Sequence, residues 1–467
     1  MSESLREKSR ELLRKSIISY KGEPAGTVAA RDAHLVTKNY DQVFTRDFVI
    51  SAAAFLLDGE TDIVKNFLTC SLELQSRDKH MNCYSPGDGL LPASFRIETD
   101  GNGNESLIAD FGEKAIARVA PIDAPFWWLY LLRIYTKVTG DTELARSPDF
   151  QKGIRLILGQ VLPPRFDMFP TLLVPDGSFM IDRRLGVYGH PIDIQALFYI
   201  GLRSAMELLS SEEEENLSYI HAAEKRARHL LFHIRNYYWI DIDKLNEINR
   251  FHLEDYGEAS INQFNINPNA IPPWTIDWLA EDGGYLAGNL GPGRMDFRFF
   301  SGGNLLAVMG SLINPDQSDQ LFHLIEHRQD DLLGTMPMKV SYPALEGLAW
   351  ELLTGSDVKN SPWSYQNGGG WPFLLWMFTV SAMKAGRQPF AEEQLSRAWP
   401  RLAEDEWPEY YDGKNSRLIG KEARLYQTWS IAGCLAADAL LRNPEKLSVF
   451  LFPDDLEPGI GAAGESC

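Results

Sequence analysis

The sequence predicts an all-helical protein in which an inner ring of buried helices is sheathed by an outer ring of half-exposed ones. Three observations lead there. Apolar residues recur at helical spacing along most of the 467 residues, two kinds of helix alternate, and strand signals are confined to short pieces. The stretches 125–135, 371–383 and 425–441 are apolar nearly all round, and such helices need cover on every side. The stretches 211–238 and 315–333 are apolar on one face. In the second, Leu321, Phe322, Leu324 and Ile325 can face a core while Asp316, Asp319, Glu326 and Asp330 face water.

In chain order, residues 1–20 read as a charged amphipathic arm packed on the barrel, 21–452 as the barrel itself and 453–467 as a polar tail. Buried and half-exposed helices then pair: 45–57 with 61–76, 123–139 with 148–161, 192–208 with 212–238, 300–312 with 316–330, and 371–385 with 390–403. Ser211 is the expected N-cap of its helix, with Glu214 three residues on and Arg226 and Arg228 further along. A short helix over 343–353 fits no pair. Strand signals at 172–174 and 179–181 flank the turn Pro175-Asp176-Gly177-Ser178, and a parallel sheet is not expected. An antiparallel bundle or a solenoid fits the same alternation.

Composition excludes several function classes. A formal net charge of -19, with no basic patch to override it, argues against nucleic acid and against an anionic membrane surface. Residues 1–20 carry no apolar run of the secretory type, and the longest uncharged apolar run, 371–383, is shorter than the roughly 18 residues of a membrane span. Cys70, Cys83, Cys434 and Cys467 form no Cys-x-x-Cys pair, which points to a reducing compartment and no metal centre. His229 with His233, and His323 with His327, stand four apart on outer helices with no carboxylate-histidine signature to complete a site. Gly368-Gly369-Gly370 lacks the Lys-Ser/Thr of a phosphate loop. The expectation is a soluble, cytoplasmic protein.

The long Gly-rich and aromatic loops carry the chemistry. Residues 166–191 precede one buried helix and 404–420 another, so in an alternating double ring both loops open at the same mouth. The first contains Ile181-Asp182-Arg183-Arg184 and the second Trp407-Pro408-Glu409-Tyr410-Tyr411-Asp412. Glycosidic cleavage requires two carboxyl groups, one protonated to assist the leaving oxygen and one ionised, and Asp182 with Glu409 is the candidate pair. Flanking arginines lower a carboxyl pKa, so Asp182 needs burial or a second carboxylate nearby to keep its proton.

Sugars offer apolar faces to aromatic rings and hydroxyls to charged or amide groups. Trp127, Trp128, Trp363, Trp371, Trp407, Tyr410, Tyr411 and Trp429 supply the first kind, with about two thirds discounted as core. Arg46, Asp47, Asp123, Gln195, Gln366, Arg424 and Gln427 supply the second. His190, before Pro191 at a helix start, is a substrate contact or a cap.

At these loops the sequence resembles the neutral/alkaline invertases of glycoside hydrolase family 100, found in cyanobacteria and plants. Carriers include Asn39-Tyr40-Asp41-Gln42-Val43-Phe44-Thr45-Arg46-Asp47, Ala117-Arg118-Val119-Ala120-Pro121-Ile122-Asp123, Met180-Ile181-Asp182-Arg183-Arg184-Leu185-Gly186 and Gly189-His190-Pro191. Others are Ile194-Gln195-Ala196, Tyr365-Gln366-Asn367-Gly368-Gly369, Trp407-Pro408-Glu409-Tyr410-Tyr411-Asp412 and Ala423-Arg424-Leu425-Tyr426-Gln427-Thr428-Trp429.

The resemblance implies an (α/α)6 barrel, hydrolysis of sucrose on the glucosyl side with inversion, no cofactor, and a homo-oligomer for which a hexamer is the suggested form. It implies an acid at Asp182 and a base at Glu409, and it adds Tyr40 and Arg183 to the substrate-binding candidates. Plant members carry a long N-terminal extension that does not precede Met1, which agrees with the expected cytoplasmic address. Three rivals remain: a trehalase- or glucoamylase-like barrel with another second-sugar subsite, a sugar epimerase, which would need central histidines where only His190 is placed, and a non-catalytic sugar sensor.

Overall fold

The computed structural model describes residues 2–33, 39–77, 81–82, 85–113, 119–163, 169–251, 266–291 and 294–454. Cys83, Cys467, Ala117, Arg118, residues 166–168 and most of the expected tail, 455–467, lie outside these.

Twelve helices carry the architecture: α1 (Glu3–Lys15), α2 (Thr45–Asp58), α3 (Asp62–Glu73), α4 (Ala124–Thr139), α5 (Pro148–Val161), α6 (Ile192–Leu208), α7 (Glu214–His233), α8 (Ser301–Met309), α9 (Pro315–His327), α10 (Leu374–Lys384), α11 (Gln388–Glu404) and α12 (Thr428–Arg442). The even-numbered ones are the helices whose sequence is apolar nearly all round. They pack side by side, α2 on α4, α4 on α6, α6 on α8, α8 on α10, α10 on α12, and α12 back on α2. Burial follows the pattern: fifteen of the seventeen residues of α6 are buried, against six of the twenty in α7. Close packing sets some residue choices. A side chain at Gly201 of α6 would run into the Phe126 ring of α4.

Local signals start and stop these helices. Gly59 and Gly140, at φ 85° and 72°, end α2 and α4 in the left-handed conformation that glycine adopts without strain. Asn314 and Gln317 form a reciprocal capping box on α9. The expected cap at Ser211 is displaced, because the chain turns once more and α7 starts at Glu214. The N-terminal helix is also shorter than expected. It ends at Lys15, and Ile17–Tyr20 pairs as a strand with Glu23–Thr27, while α1 itself lies against α11 and α12.

Strands are more extensive than the sequence suggested. Ser94–Thr99 pairs with Glu105–Asp110, and Tyr285–Gly291 with Arg294–Phe300, in antiparallel register. All named strand pairs are antiparallel. The expected strands at 172–174 and 179–181 do not form. That segment is an irregular loop tied by a single bridge between Val174 and Gly189.

The two ends of the ring differ. Near the C-terminal ends of the even-numbered helices, residues 449–454 run across the floor. Arg133 donates to the carbonyls of Val449 and Leu451, Tyr130 to Phe450, Ser311 to Phe452 and Arg203 to Pro453. Pro453 and Asp454, assigned from sequence to the tail, are thus held to the body, the latter by Lys384 at 3.2 Å. The N-terminal ends of the same helices meet at the opposite, loop-rich end. No helix of the described residues is long and apolar enough to cross a membrane.

Candidate active site

Asp182 projects from a loop that organises itself around Asp176, whose carboxylate accepts the backbone N–H groups of Leu185 at 3.0 Å, Gly186 at 2.8 Å and Val187 at 3.3 Å. Gln366 fixes the crest of this loop. Its Nε2 donates to Asp182 Oδ1 and to the Met180 carbonyl, both at 2.8 Å, and its Oε1 accepts from the Arg183 backbone N–H. Arg46, in the first turn of α2, reaches to 3.9 Å of Asp182 Oδ2 while its Nε holds Asp123 at 2.6 Å. The Asp182 side chain keeps 42% of its surface open, so the site faces solvent here. Dense surroundings nonetheless raise its pKa, against the pull of Arg46, the Gln366 hydrogen bond, Arg183 and Lys359.

Glu409 enters from the other side. Glu406 and Trp407, both at positive φ (60° and 56°), turn the chain inward ahead of Pro408, and the Glu409 backbone N–H is anchored on the Arg424 carbonyl at 2.8 Å. Its side chain is 3% exposed. Tyr40 donates to Oε1 at 2.9 Å, and Lys359 Nζ lies 3.6 Å from Oε2. Burial raises the Glu409 pKa. Lys359, Tyr40 and the Arg424 N–H oppose it, and the negative charge of Asp182 adds to it. The two carboxyl groups therefore act on each other within one site. Asp47 joins them: burial pushes it up to about 7, with Arg46 opposing and Asp182, Glu409 and Asp123 reinforcing. For Asp182 the dense surroundings outweigh the flanking arginines, and its pKa rises as a general acid requires.

The structure sorts the remaining candidates. Tyr40, Arg46, Asp47, Asp123 and Gln366 converge on the carboxyl pair. Arg183 stands beside Asp182, but its guanidinium is committed to Asp357 at 2.7 and 2.9 Å. Arg424 lies 4.9 Å from the centre of the Tyr40 ring. Trp371 and Tyr410 form a buried wall, stacked at 5.4 Å, with the Trp371 N–H bound to the Tyr365 carbonyl and the Tyr410 hydroxyl to the Lys421 carbonyl. Trp127 and Gln427 are buried at the N-terminal ends of α4 and α12, and each has one polar atom, Nε1 and Oε1, without a hydrogen-bond partner among the described residues.

Two candidates stand apart. Gln195 spends both ends of its amide on the backbone of Leu172, which ties α6 to the preceding loop. His190 packs on Phe169, its backbone engaged by Asn289 and Tyr238. Sequence reasoning missed Lys359, and it placed Tyr365 only within a motif. Tyr365 lies under the Lys359 ammonium, 4.2 Å from ring centre to Nζ, and feels both carboxylates. A concavity of about 540 Å³ on α1, lined by Glu7, Lys8, Glu11, Arg14 and Lys15, is a charged helix face remote from this cluster.

A family model described as alkaline and neutral invertase matches residues 9–444. Neutral/alkaline invertase 1, mitochondrial, of Oryza sativa subsp. japonica is 54% identical over 464 residues, 97% of this chain and 74% of that protein. Probable alkaline/neutral invertase A, chloroplastic, of Arabidopsis thaliana is 51% identical over 97% of this chain and 72% of its own length. Among solved structures, a GH63 mannosylglycerate hydrolase from Thermus thermophilus in complex with Tris and D-glycerate superposes with a TM-score of 0.54 at 14% identity, covering 92% of this chain and 99% of that one. That likeness is one of helical-barrel fold alone. The expected cytoplasmic address does not stand, since these relatives are named mitochondrial and chloroplastic. The composition of a folded body does not record its compartment.

Proposed function

We propose, because this chain belongs to the alkaline and neutral invertase family, that it hydrolyses sucrose with Glu409 as general base and Asp182 as general acid. Membership makes it a glycoside hydrolase of the neutral/alkaline invertase kind. In the proposed step, Glu409 takes a proton from a water whose oxygen attacks the glucosyl anomeric carbon. The bond from that carbon to the bridging oxygen breaks, and Asp182 protonates the oxygen as fructose leaves. Attack from the face opposite the leaving group inverts the anomeric centre, so the α-linked glucosyl unit departs as β-glucose.

The observation that carries this reading is the meeting of Asp182 and Glu409, 227 positions apart in the chain, in one site where the charge of Asp182 raises the proton affinity of Glu409. Two further features support it. Glu409 faces the Lys359 ammonium, which opposes the effect of burial and favours the ionised form a base needs, whereas Asp182 lies on the open side where a sugar product leaves. Arg46, Asp47, Asp123, Tyr40 and Gln366 supply charged and hydrogen-bonding partners for sugar hydroxyls.

The finer architecture belongs to the same proposal. The even-numbered helices are the inner ring, and the odd-numbered the outer ring, of an (α/α)6 barrel, with α1 completing the outer ring. A homo-oligomer, in the form of a hexamer, is the assembly that goes with it.

One assay tests the chemistry. Purified protein is mixed with sucrose, and the first glucose formed is read by NMR before mutarotation. Release of glucose and fructose with β-glucose first is expected; α-glucose first would replace inversion with a covalent, retaining route. Asp182→Asn and Glu409→Gln should each abolish turnover with the fold intact, and substantial residual hydrolysis in either reassigns that role.

A further inference from the structure

We infer that Lys359 is a positioning residue whose ammonium keeps Glu409 in its ionised form, and so sets how acidic a solution the enzyme can work in. The inference rests on Glu409 being the general base. Lys359 belongs to none of the motifs that marked the site, and only the fold brings it there.

The geometry is specific. Lys359 follows the short helix Gly347–Thr354, and its backbone N–H donates to Asp357 Oδ1 at 3.0 Å. The same Asp357 carboxylate grips the Arg183 guanidinium through two hydrogen bonds. One acid thus neutralises the cation beside Asp182 and anchors the backbone of the cation that faces Glu409. The Lys359 side chain crosses the Tyr365 ring at 4.2 Å and ends 3.6 Å from Glu409 Oε2, with 15% of its surface exposed. A cation over a buried aromatic face is held in place without a hydrogen bond.

The separation matters for a base. At 3.6 Å the ammonium acts through space and does not saturate Oε2, whose other neighbour, the Arg424 backbone N–H, is also long at 3.5 Å. Oε1 is engaged by Tyr40 at 2.9 Å. Oε2 therefore remains the oxygen able to accept a proton from water.

The other groups facing Glu409 do not replace this charge. Asp182 and Asp47 are acids that oppose its ionisation; Tyr40 and Tyr365 are neutral hydroxyls; Arg424 reaches it through the backbone, its guanidinium lying over the Tyr40 ring. Burial drives Glu409 towards its neutral form, and Lys359 is the strongest force the other way. Lys359 acts on Asp182 in the same direction but more weakly, behind Arg46, Gln366 and Arg183.

The test is kcat/KM for sucrose against pH for the wild type, K359M, K359R and E409Q. In K359M the acid limb should move up by about one to two pH units, the effect of removing an opposite charge at this range. Activity then falls about ten-fold or more on the acid side, with the loss shrinking as pH rises, and the alkaline limb moves less. K359R, which keeps the charge, should return the acid limb towards the wild-type position. A K359M profile lowered evenly at all pH with its limb in place, or a change confined to KM, overturns the inference. An active E409Q would sink the base assignment itself, whereas an inactive E409Q beside an unmoved K359M limb sinks the role of Lys359 alone. Near-UV circular dichroism checks the fold, and should K359M not fold, K359Q carries the same pH series.

Discussion

Replacing Asp193 with asparagine should make the protein more stable at pH 8 and leave it nearly unchanged at pH 4. Asp193 sits in the first turn of α6, 3% exposed, facing the first turn of α8, where its Oδ1 lies 2.7 Å from the position a Cβ on Gly302 would take. No side chain among the described residues donates to either oxygen. Burial pushes its pKa up from 3.8 to about 7, with the backbone N–H groups of Asp193 and Gly303 pulling weakly down. Between those two values the folded protein keeps the proton that the unfolded chain releases. Stability contributed by the protonated form is therefore complete below about pH 4 and drains away as pH rises to about 7. The full gap corresponds to ~4 kcal/mol at about 1.4 kcal/mol per pH unit. The positive N-terminal end of α8 stabilises the charge by up to ~2 kcal/mol, which leaves a gain of about 2 kcal/mol or more for the variant at pH 8. An amide mimics the protonated acid and escapes the loss. Thermal or urea unfolding of both proteins at pH 4 and pH 8 measures it, and taking the difference between them cancels every other titrating group. Equal effects at both pH values, or destabilisation at pH 8, would refute the reasoning.

Three further outcomes can be measured. Tyr40→Phe removes the 2.9 Å bond to Glu409 Oε1, worth about 1.5–3 kcal/mol for a charged acceptor; kcat/KM should fall most at low pH, because the base loses a donor that favours its ionised form. Gln366→Leu frees Asp182 and cuts two ties within its loop; steady-state kinetics should show kcat reduced about ten- to a hundred-fold, at about 1.4 kcal/mol per factor of ten. Arg133→Ala strips the floor of its bonds to Val449 and Leu451 and of its contact with Phe452 at 3.7 Å; calorimetry should record about 2–4 kcal/mol lost, from the carbonyls left without a donor, while Glu207 keeps Lys137 at 3.4 Å and KM for sucrose stays put.

Much of the fold was legible because helical periodicity over ten or more residues is a redundant signal. The boundaries of α2, α4, α5 and α6 fall within a residue or two of their sequence estimates. The hairpins were not legible. Tyr285–Gly291 mixes glycines with apolar residues and is buried along most of its length, so it shows no two-residue alternation to read. The cap at Ser211 failed because the four following glutamates fit the first turn of a helix in more than one register.

In the site, residue type was legible and direction was not. Trp371, Tyr410 and Gln195 have the chemistry of sugar contacts, yet the first two build the wall behind the acids and the third fastens a loop. Lys359 could not be found from sequence at all. A lone lysine in a Gly-Ser-Asp-Val-Lys-Asn turn looks like any solvated surface charge until the chain is folded.

The site's two carboxyl groups are best understood as one titrating unit. Burial raises both, a cation opposes burial at each, Arg46 at Asp182 and Lys359 at Glu409, and the charge of Asp182 raises Glu409 further. Once the first proton leaves, the second is harder to remove, so a window opens in which the pair holds one proton between two carboxyls. That singly protonated state is the one acid–base glycoside hydrolysis needs, and its width grows with the coupling between the groups. Where the proton resides is decided by the cations. Arg46 divides its charge between Asp123 at 2.6 Å and Asp182 at 3.9 Å, whereas no acid besides Glu409 is bonded to the Lys359 ammonium among the described residues. The nearer, less divided charge sits beside Glu409, which favours the ionised form there, as the proposed base role requires. A third acid, Asp47, pushed up to about 7, lies close enough to feel both. Its ionisation adds a negative charge near the pair, and so raises the proton affinity of Asp182 as solution turns alkaline, the direction that preserves a general acid above neutral pH.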